Sequence, residues 1–153
     1  MALLTSLYLC SRTVYAAVGT PTGSGARVVA AAQTELPEGC LINGVITNEA
    51  DLTAALKEFF TANKLPMNRV ALIAGGSQFM HRILTLPAMS EKKRMAVLSH
   101  ELASGGAEVR APLDDYMLLS RDARTRVDTV LATRVEQSVI AGYDALAKAV
   151  GFK

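Results

Sequence analysis

The pattern of apolar and polar positions breaks at Gly75-Gly76-Ser77. Before it, Val70 to Ala74 is a short continuous apolar run, as expected of a strand covered on both faces. After it, Phe79 to Leu86 alternates more loosely, with His81 and Arg82 among apolar residues, until Pro87. The glycines let the second run leave the sheet of the first. The pattern therefore predicts two small layers, with the stretch from Asn43 to Met89 carrying the crossover.

Upstream, residues 1 to 10 read as a first strand, and Leu7 to Val18 continues the alternation. The turn cluster Thr20-Pro-Thr-Gly-Ser-Gly25 and the run Ala26 to Thr34 complete a hairpin. A Gly-Ser loop can cradle phosphate when a helix N-terminus lies behind it; a strand follows here, so the loop reads as a turn. Cys40 to Ile46 reads as a third strand. Asn48 caps a helix with Asp51 at the third position, and Leu52, Leu56, Phe59 and Phe60 make its apolar face. Ser90 caps a second helix with Met95, Leu98 and Leu102 on one face, ended by Gly105-Gly106. Ala107 to Leu119 and Val127 to Thr133 read as strands joined by a polar loop. A last helix from Val135 to Val150 buries Val135, Val139, Tyr143, Leu146 and Val150, with Gly151 as its stop signal.

The order is β-β-β-α-β, then β-α-β-β, then α. The fold class is α/β (α+β), with one lobe of residues 1–74 plus 135–153 and a strand-helix-strand-strand subdomain, 75–134, inserted into it.

Composition narrows the function. Half of the 153 residues are hydrophobic and a fifth are charged, enough for a real core. A net charge of +2, few aromatics and no Trp argue against nucleic-acid binding. Lys92-Lys93-Arg94 and Arg121, Arg124, Arg126 read as solvated helix ends and turns. Cys10 and Cys40 lack metal-ligand spacing and read as two reduced, buried thiols of a cytosolic protein, though sequence alone leaves a disulfide open. His81 and His100 are isolated, and Asp114-Asp115 would point to opposite faces of a strand, so no metal site is expected. Glu49 and Asp51 sit in a first helical turn, where acids favour the dipole. The apolar N-terminus is too short to span a bilayer and no other stretch qualifies, so a membrane role would need a partner.

Several segments together resemble the PilM family, actin-like cytoplasmic proteins of type IV pilus assembly. They are Ile42-Asn-Gly-Val-Ile-Thr-Asn-Glu-Ala-Asp-Leu52, Arg82-Ile-Leu-Thr-Leu-Pro-Ala-Met89, Pro112-Leu-Asp-Asp-Tyr-Met-Leu-Leu119, the Val-Leu-Ala strand near Val130, and the last helix with its closing Val-Gly-Phe. The resemblance covers nearly the whole chain. It implies the N-terminal half of an actin-like (RNase H-like) domain with an inserted SHS2-like subdomain, similar in architecture to FtsA and to the cytoplasmic part of GspL.

Two departures matter. The family's phosphate hairpin reads Ile-Asp-Ile-Gly-Ser-x-x-Val-Lys; here it is Leu7-Tyr-Leu-Cys-Ser-Arg-Thr-Val-Tyr15. Tyr8 stands where an Asp would hold hydrated magnesium, Cys10 where a Gly would let the backbone approach phosphate, and Tyr15 where a Lys would sit; Ser11 and Val14 keep the pattern. ATP and magnesium, cofactors in the family, are therefore not expected here. The chain also stops at Lys153, and is read as an N-terminal portion lacking the second actin-like half.

The resemblance implies a non-enzymatic adaptor at the inner face of the cytoplasmic membrane. Its partner would be the cytoplasmic tail of a PilN-like inner-membrane protein, held in a groove between the two lobes. Arg82, Leu84, Leu86 and Met89 are the candidate groove residues, with core packing as the competing reading of all four. The alternatives are an actin-like ATP-binding protein and an FtsA- or GspL-like scaffold that binds itself or other pilus assembly proteins.

Overall fold

The computed structural model describes residues 3–105 and 108–153. The start of the first predicted strand, Gly106 and the predicted strand start at Ala107 lie outside the described residues. The chain divides into two compact units: residues up to Ser77 with Ala141–Lys153, and Gln78–Ile140. The expected divisions after residues 74 and 134 lie a few residues earlier.

The first unit is built on a four-stranded sheet. Its strands are β1 (Leu4–Cys10), β2 (Thr13–Thr22), β3 (Gly25–Glu35) and, after two short pieces and a helix, β6 (Val70–Ala74), in the order β3-β2-β1-β6. The stretch expected as one alternating strand to Val18 is two antiparallel strands turned at Ser11-Arg12, with Tyr8 opposite Tyr15. The turn changes the phase of the alternation, from buried odd positions in β1 to buried even positions in β2. Thr5, Leu7 and Leu9 of β1 lie opposite Val18, Ala16 and Val14 of β2, and all six are buried. β6 runs parallel to β1, with Leu72 opposite Leu7. It is half-buried rather than covered on both faces, and Ile73 is exposed beside Tyr8.

Cys40 to Ile46 is a miniature hairpin, β4 (Leu41–Ile42) and β5 (Val45–Ile46), not one strand. Asn43 and Gly44 turn it with φ of 50° and 83°, as a two-residue Asn-Gly hairpin turn requires. A side chain on Gly44 would meet Gly75 O at 2.6 Å, and one on Gly76 would meet Asn43 O at 2.4 Å. The Gly75-Gly76 pair thus serves backbone-to-backbone contact with this turn as well as the chain break.

Helix α1 (Glu49–Ala62) starts as its sequence predicts: the Asn48 side chain accepts the Asp51 N–H at 3.1 Å. Leu52, Leu56, Phe59 and Phe60 are all buried. The last helix, α3 (Gln137–Val150), begins two residues later than expected because β9, described below, runs on to Glu136. It buries Tyr143, Leu146 and Val150, while Val139 stays half-buried. Gly151 at φ 96° ends it, with Phe152 N–H bonded back to Ala147 O and Gly151 N–H to Lys148 O. The last residues then stitch into the unit: the Phe152 ring centre lies 4.8 Å from that of Phe60, and Val70 N–H donates to Lys153 O at 2.9 Å. Both cysteines are free; Cys40 is buried but Cys10 is exposed, against the expectation for both.

The second unit is β7 (Met80–Pro87), α2 (Glu91–Ala103), β8 (Pro112–Asp122) and β9 (Val127–Glu136), with β9 central in an antiparallel sheet β7-β9-β8. Helix α2 covers one face. Its Leu98 and Leu102 join Leu86, Val130 and Ala132 in a core flanked by Met80, Leu84, Met89, Met95 and Tyr116.

Two arginine–aspartate pairs fix the helix there. Asp128 of β9 is fully buried and takes bonds from Arg94 of α2 and from Arg121 Nε of β8, the latter at 2.8 Å. Arg94 also donates to Tyr116 Oη at 2.9 Å. Arg134 binds Asp114 through two bonds of 2.7 and 2.8 Å and donates to Ser99 O of α2 at 2.9 Å. Arg94, expected in a solvated cluster, is therefore a buried residue. A cation at that depth is tolerated because its carboxylate partner is fixed beside it.

Arg121 and Arg94 hold the Asp128 carboxyl below its ordinary range, and the Arg134 bonds do the same for Asp114. Both carboxyls thus bind fewer protons folded than unfolded under acid conditions. The stability they supply is complete above the unfolded value of about 3.9 and is lost as pH falls through the lower folded values. Asp128→Asn should lower the denaturation midpoint at neutral pH and lose less on going to about pH 3 than the parent does. Equal acid sensitivity in the two proteins would contradict this account.

Candidate functional site

Strand alternation sends the residues of β7 to opposite faces. Leu84 and Leu86 lie opposite Val130 and Asp128, on the face that α2 covers. Leu86 is buried, Leu84 and Met89 pack against the same core, and Arg82 donates to Glu101 O of α2 at 2.8 Å. All four expected groove residues therefore serve the interior of the second unit or its helix-covered side.

Among the described residues, no element of this unit covers the other face of the same strands. It carries His81, Ile83 and Thr85 of β7, Thr129, Leu131 and Thr133 of β9, and Leu113, Asp115 and Met117 of β8. The pairing register sets these in rows. Ile83, Leu131 and Met117 form an apolar row across the three strands, and His81, Thr133 and Asp115 a polar row next to it. Ile83 is 67% exposed and Met117 58%. Phe79, Leu113, Val135 and Ile140 wall a concavity of about 450 Å³ at the end of the face.

The polar row is partly pre-ordered. His81 Nδ1 lies 2.9 Å from Thr133 Oγ1, and the His81 ring stacks near Phe79 with centroids 6.5 Å apart. Asp115 accepts the Tyr116 N–H at 2.8 Å and is exposed, so it remains open to further donors. β7 is the outer strand of its sheet, leaving a row of backbone groups for an added strand. Chemically, the arrangement suits an extended apolar peptide, with a carboxylate placed to receive a basic group. The signal was present in the sequence as Phe79, His81, Ile83 and Thr85, the alternate positions of the strand already singled out.

The hairpin expected to bind phosphate in the family is present as β1–β2, but its residues do not fit a nucleotide with magnesium. Tyr8 and Tyr15 stack on each other with ring centroids 6.2 Å apart. They line a shallow concavity of about 670 Å³ with Ser6, Ala31, Gln33 and Ile73, a set with no carboxylate and no cation. Cys10 and Ser11 are exposed at the hairpin end, where Cys10 carries a side chain in the place of the family glycine. Among the described residues no three His, Cys, Asp or Glu side chains gather as metal ligands, and no helix is long and apolar enough to cross a membrane.

No protein-family model matches the chain, and no curated protein sequence matches it. Among solved structures it is similar to a chain of a PilM-PilN type IV pilus biogenesis complex, with a TM-score of 0.81 at 16% sequence identity. The match covers 97% of this chain and 45% of that one, so the chain spans less than half the neighbour's length. At this identity the likeness shows the fold: a mixed α/β, PilM-like fold.

The two faces of β7 should respond differently to truncation. Leu86→Ala should cost about 2–5 kcal/mol. Ile83→Ala should change stability by no more than about 0.5 kcal/mol. Denaturant midpoints of the two variants check the assignment, and a reversed order would refute it.

Proposed function

We propose that the chain is a non-enzymatic adaptor module of type IV pilus assembly that binds the cytoplasmic tail of a PilN-like inner-membrane protein. The observation that carries this reading is the uncovered row Ile83–Leu131–Met117 beside a free β7 edge, in a chain with a PilM-like fold. The similar solved structure is a PilM-PilN complex, which motivates a PilN-like partner. A tail added to β7 would gain main-chain hydrogen bonds from the edge and place alternate side chains over the apolar row. Asp115 would receive a basic residue of the tail. The module would then sit in the cytoplasm at the inner face of the membrane, held there by its partner.

An actin-like ATPase is the weaker reading, since function rests on the site rather than the fold. The Tyr8–Tyr15 pair supplies neither the carboxylate nor the lysine that a bound nucleotide would call on.

Titration calorimetry against the cytoplasmic N-terminal peptide of the PilN-like protein tests the proposal. Ile83→Asp and Met117→Asp should each weaken binding by about tenfold or more, the loss expected from an anchor worth over 1 kcal/mol. Arg82→Ala, on the opposite face, should bind as the parent does. Absence of binding by the folded parent chain, or equal binding by all variants, would overturn it.

A further inference from the structure

The two basic clusters of the sequence meet in the second unit. Pro87 ends β7 opposite Val127, and Asp122 ends β8 opposite the same residue. The link into α2 and the β8–β9 turn therefore lie at one end of the sheet. Ala88 N–H donates to Arg126 O at 2.8 Å and ties the two segments together. Within the turn, Asp122 accepts the N–H groups of Arg124 and Thr125 at 2.8 and 3.1 Å. One position further into β9, Asp128 holds both Arg94 near the start of α2 and Arg121 near the end of β8. Lys92, Lys93, Arg124 and Arg126 are thereby fixed at the same end of one unit, although the two pairs are some thirty positions apart in sequence.

All four are exposed, and among the described residues none of them is ion-paired. Arg121 also keeps 57% of its side chain open to solvent. The segments 88–95 and 119–129 hold six basic and three acidic residues, a formal charge of +3, while the whole chain carries +2. Two of the three acids are engaged, Asp128 by its arginines and Asp122 by backbone N–H groups; Glu91 is exposed. No aromatic residue stands in these segments to stack on a base. Cations brought within a Debye length of an anionic bilayer are drawn to it together, without needing one fixed geometry.

We infer that this end of the second unit rests on the anionic phospholipid headgroups of a bilayer, through Lys92, Lys93, Arg124 and Arg126 with Arg121 beside them. The choice of a membrane over an acidic protein rests on the adaptor reading above, which puts the module beside a bilayer; the contact itself needs no tail. One sheet can serve both contacts at once. Ile83 precedes Pro87 on β7 by about 13 Å of strand. A tail leaving the bilayer can therefore reach the apolar row while the basic end stays at the headgroups.

Flotation of the 153-residue chain with vesicles free of other protein tests the inference. The chain should bind phosphatidylcholine vesicles containing about a third phosphatidylglycerol, and not phosphatidylcholine alone. Salt at about 0.5 M should release it. Each cation removed should weaken binding about fivefold. Lys92→Gln, Lys93→Gln, Arg124→Gln and Arg126→Gln together should then weaken it by roughly several hundredfold, with an unchanged circular dichroism spectrum. An equal loss of charge on the first unit, Lys57→Gln, Lys64→Gln, Lys148→Gln and Lys153→Gln, should weaken it by less than about tenfold, because screening limits its reach. Inorganic phosphate should compete no better than chloride at equal ionic strength. Failure of the parent to bind anionic vesicles overturns the inference, as does an equal loss in the two quadruple variants. So does displacement specific to phosphate, or tighter binding to polyglutamate than to the anionic vesicles. Vesicle binding by a chain that ignores the tail peptide would refute the adaptor reading and support this contact.

Discussion

The second unit depends on two arginine–aspartate pairs, Arg94 with Asp128 and Arg134 with Asp114. A helix of 13 residues, three of them buried, has a modest apolar face with which to hold a three-stranded sheet. The pairs add direction. Arg94 reaches from α2 to β9, and Arg134 reaches from β9 to a carboxylate on β8 and a carbonyl on α2. Losing one member of such a pair strands the other charge in the interior, which costs more than the pair contributes when intact. The helix is therefore held to one face of the sheet in one orientation.

That choice of face determines what the other can do. Once α2 claims Leu84, Leu86, Val130 and Ala132, strand geometry leaves Ile83, Leu131 and Met117 uncovered. An apolar row of this size, left uncovered by the described residues of its own unit, is a natural seat for a partner. The first unit is uncovered differently. Its Tyr8 and Tyr15 rings stack on one another, and its long β3 edge offers backbone rather than side chains. The two units thus present chemically distinct surfaces, apolar side chains on one and strand backbone on the other.

Much of the fold was legible because local signals agreed with tertiary outcomes. Asn48 with Asp51, the Leu52–Phe60 stripe, Gly151 and the Gly75-Gly76 break each produced the feature they encode. The turn at Ser11-Arg12 is marked by a change of phase, from apolar odd positions up to Leu9 to apolar even positions from Val14, which a reading of one alternating stretch passes over. Asn43-Gly44 carried a hairpin signal that the apolar residues on either side obscured. The burial of Arg94 was not readable, since its partner Asp128 lies 34 positions away and pairs only after β9 packs against α2. The residues singled out from the sequence, Arg82, Leu84, Leu86 and Met89, lie on or beside the helix-covered side, and the alternate positions of the same strand were passed over. In Phe79 to Leu86 both faces carry apolar residues, and only the position of α2 decides between them.

The claim that binding uses the uncovered face is most directly tested by methyl NMR of the labelled chain titrated with the PilN-like cytoplasmic peptide. The account predicts that the signals of Ile83, Leu131 and Met117 shift progressively while those of Leu86, Leu98 and Leu102 stay in place. Shifts confined to the residues under α2, or spread evenly through the second unit, would contradict it.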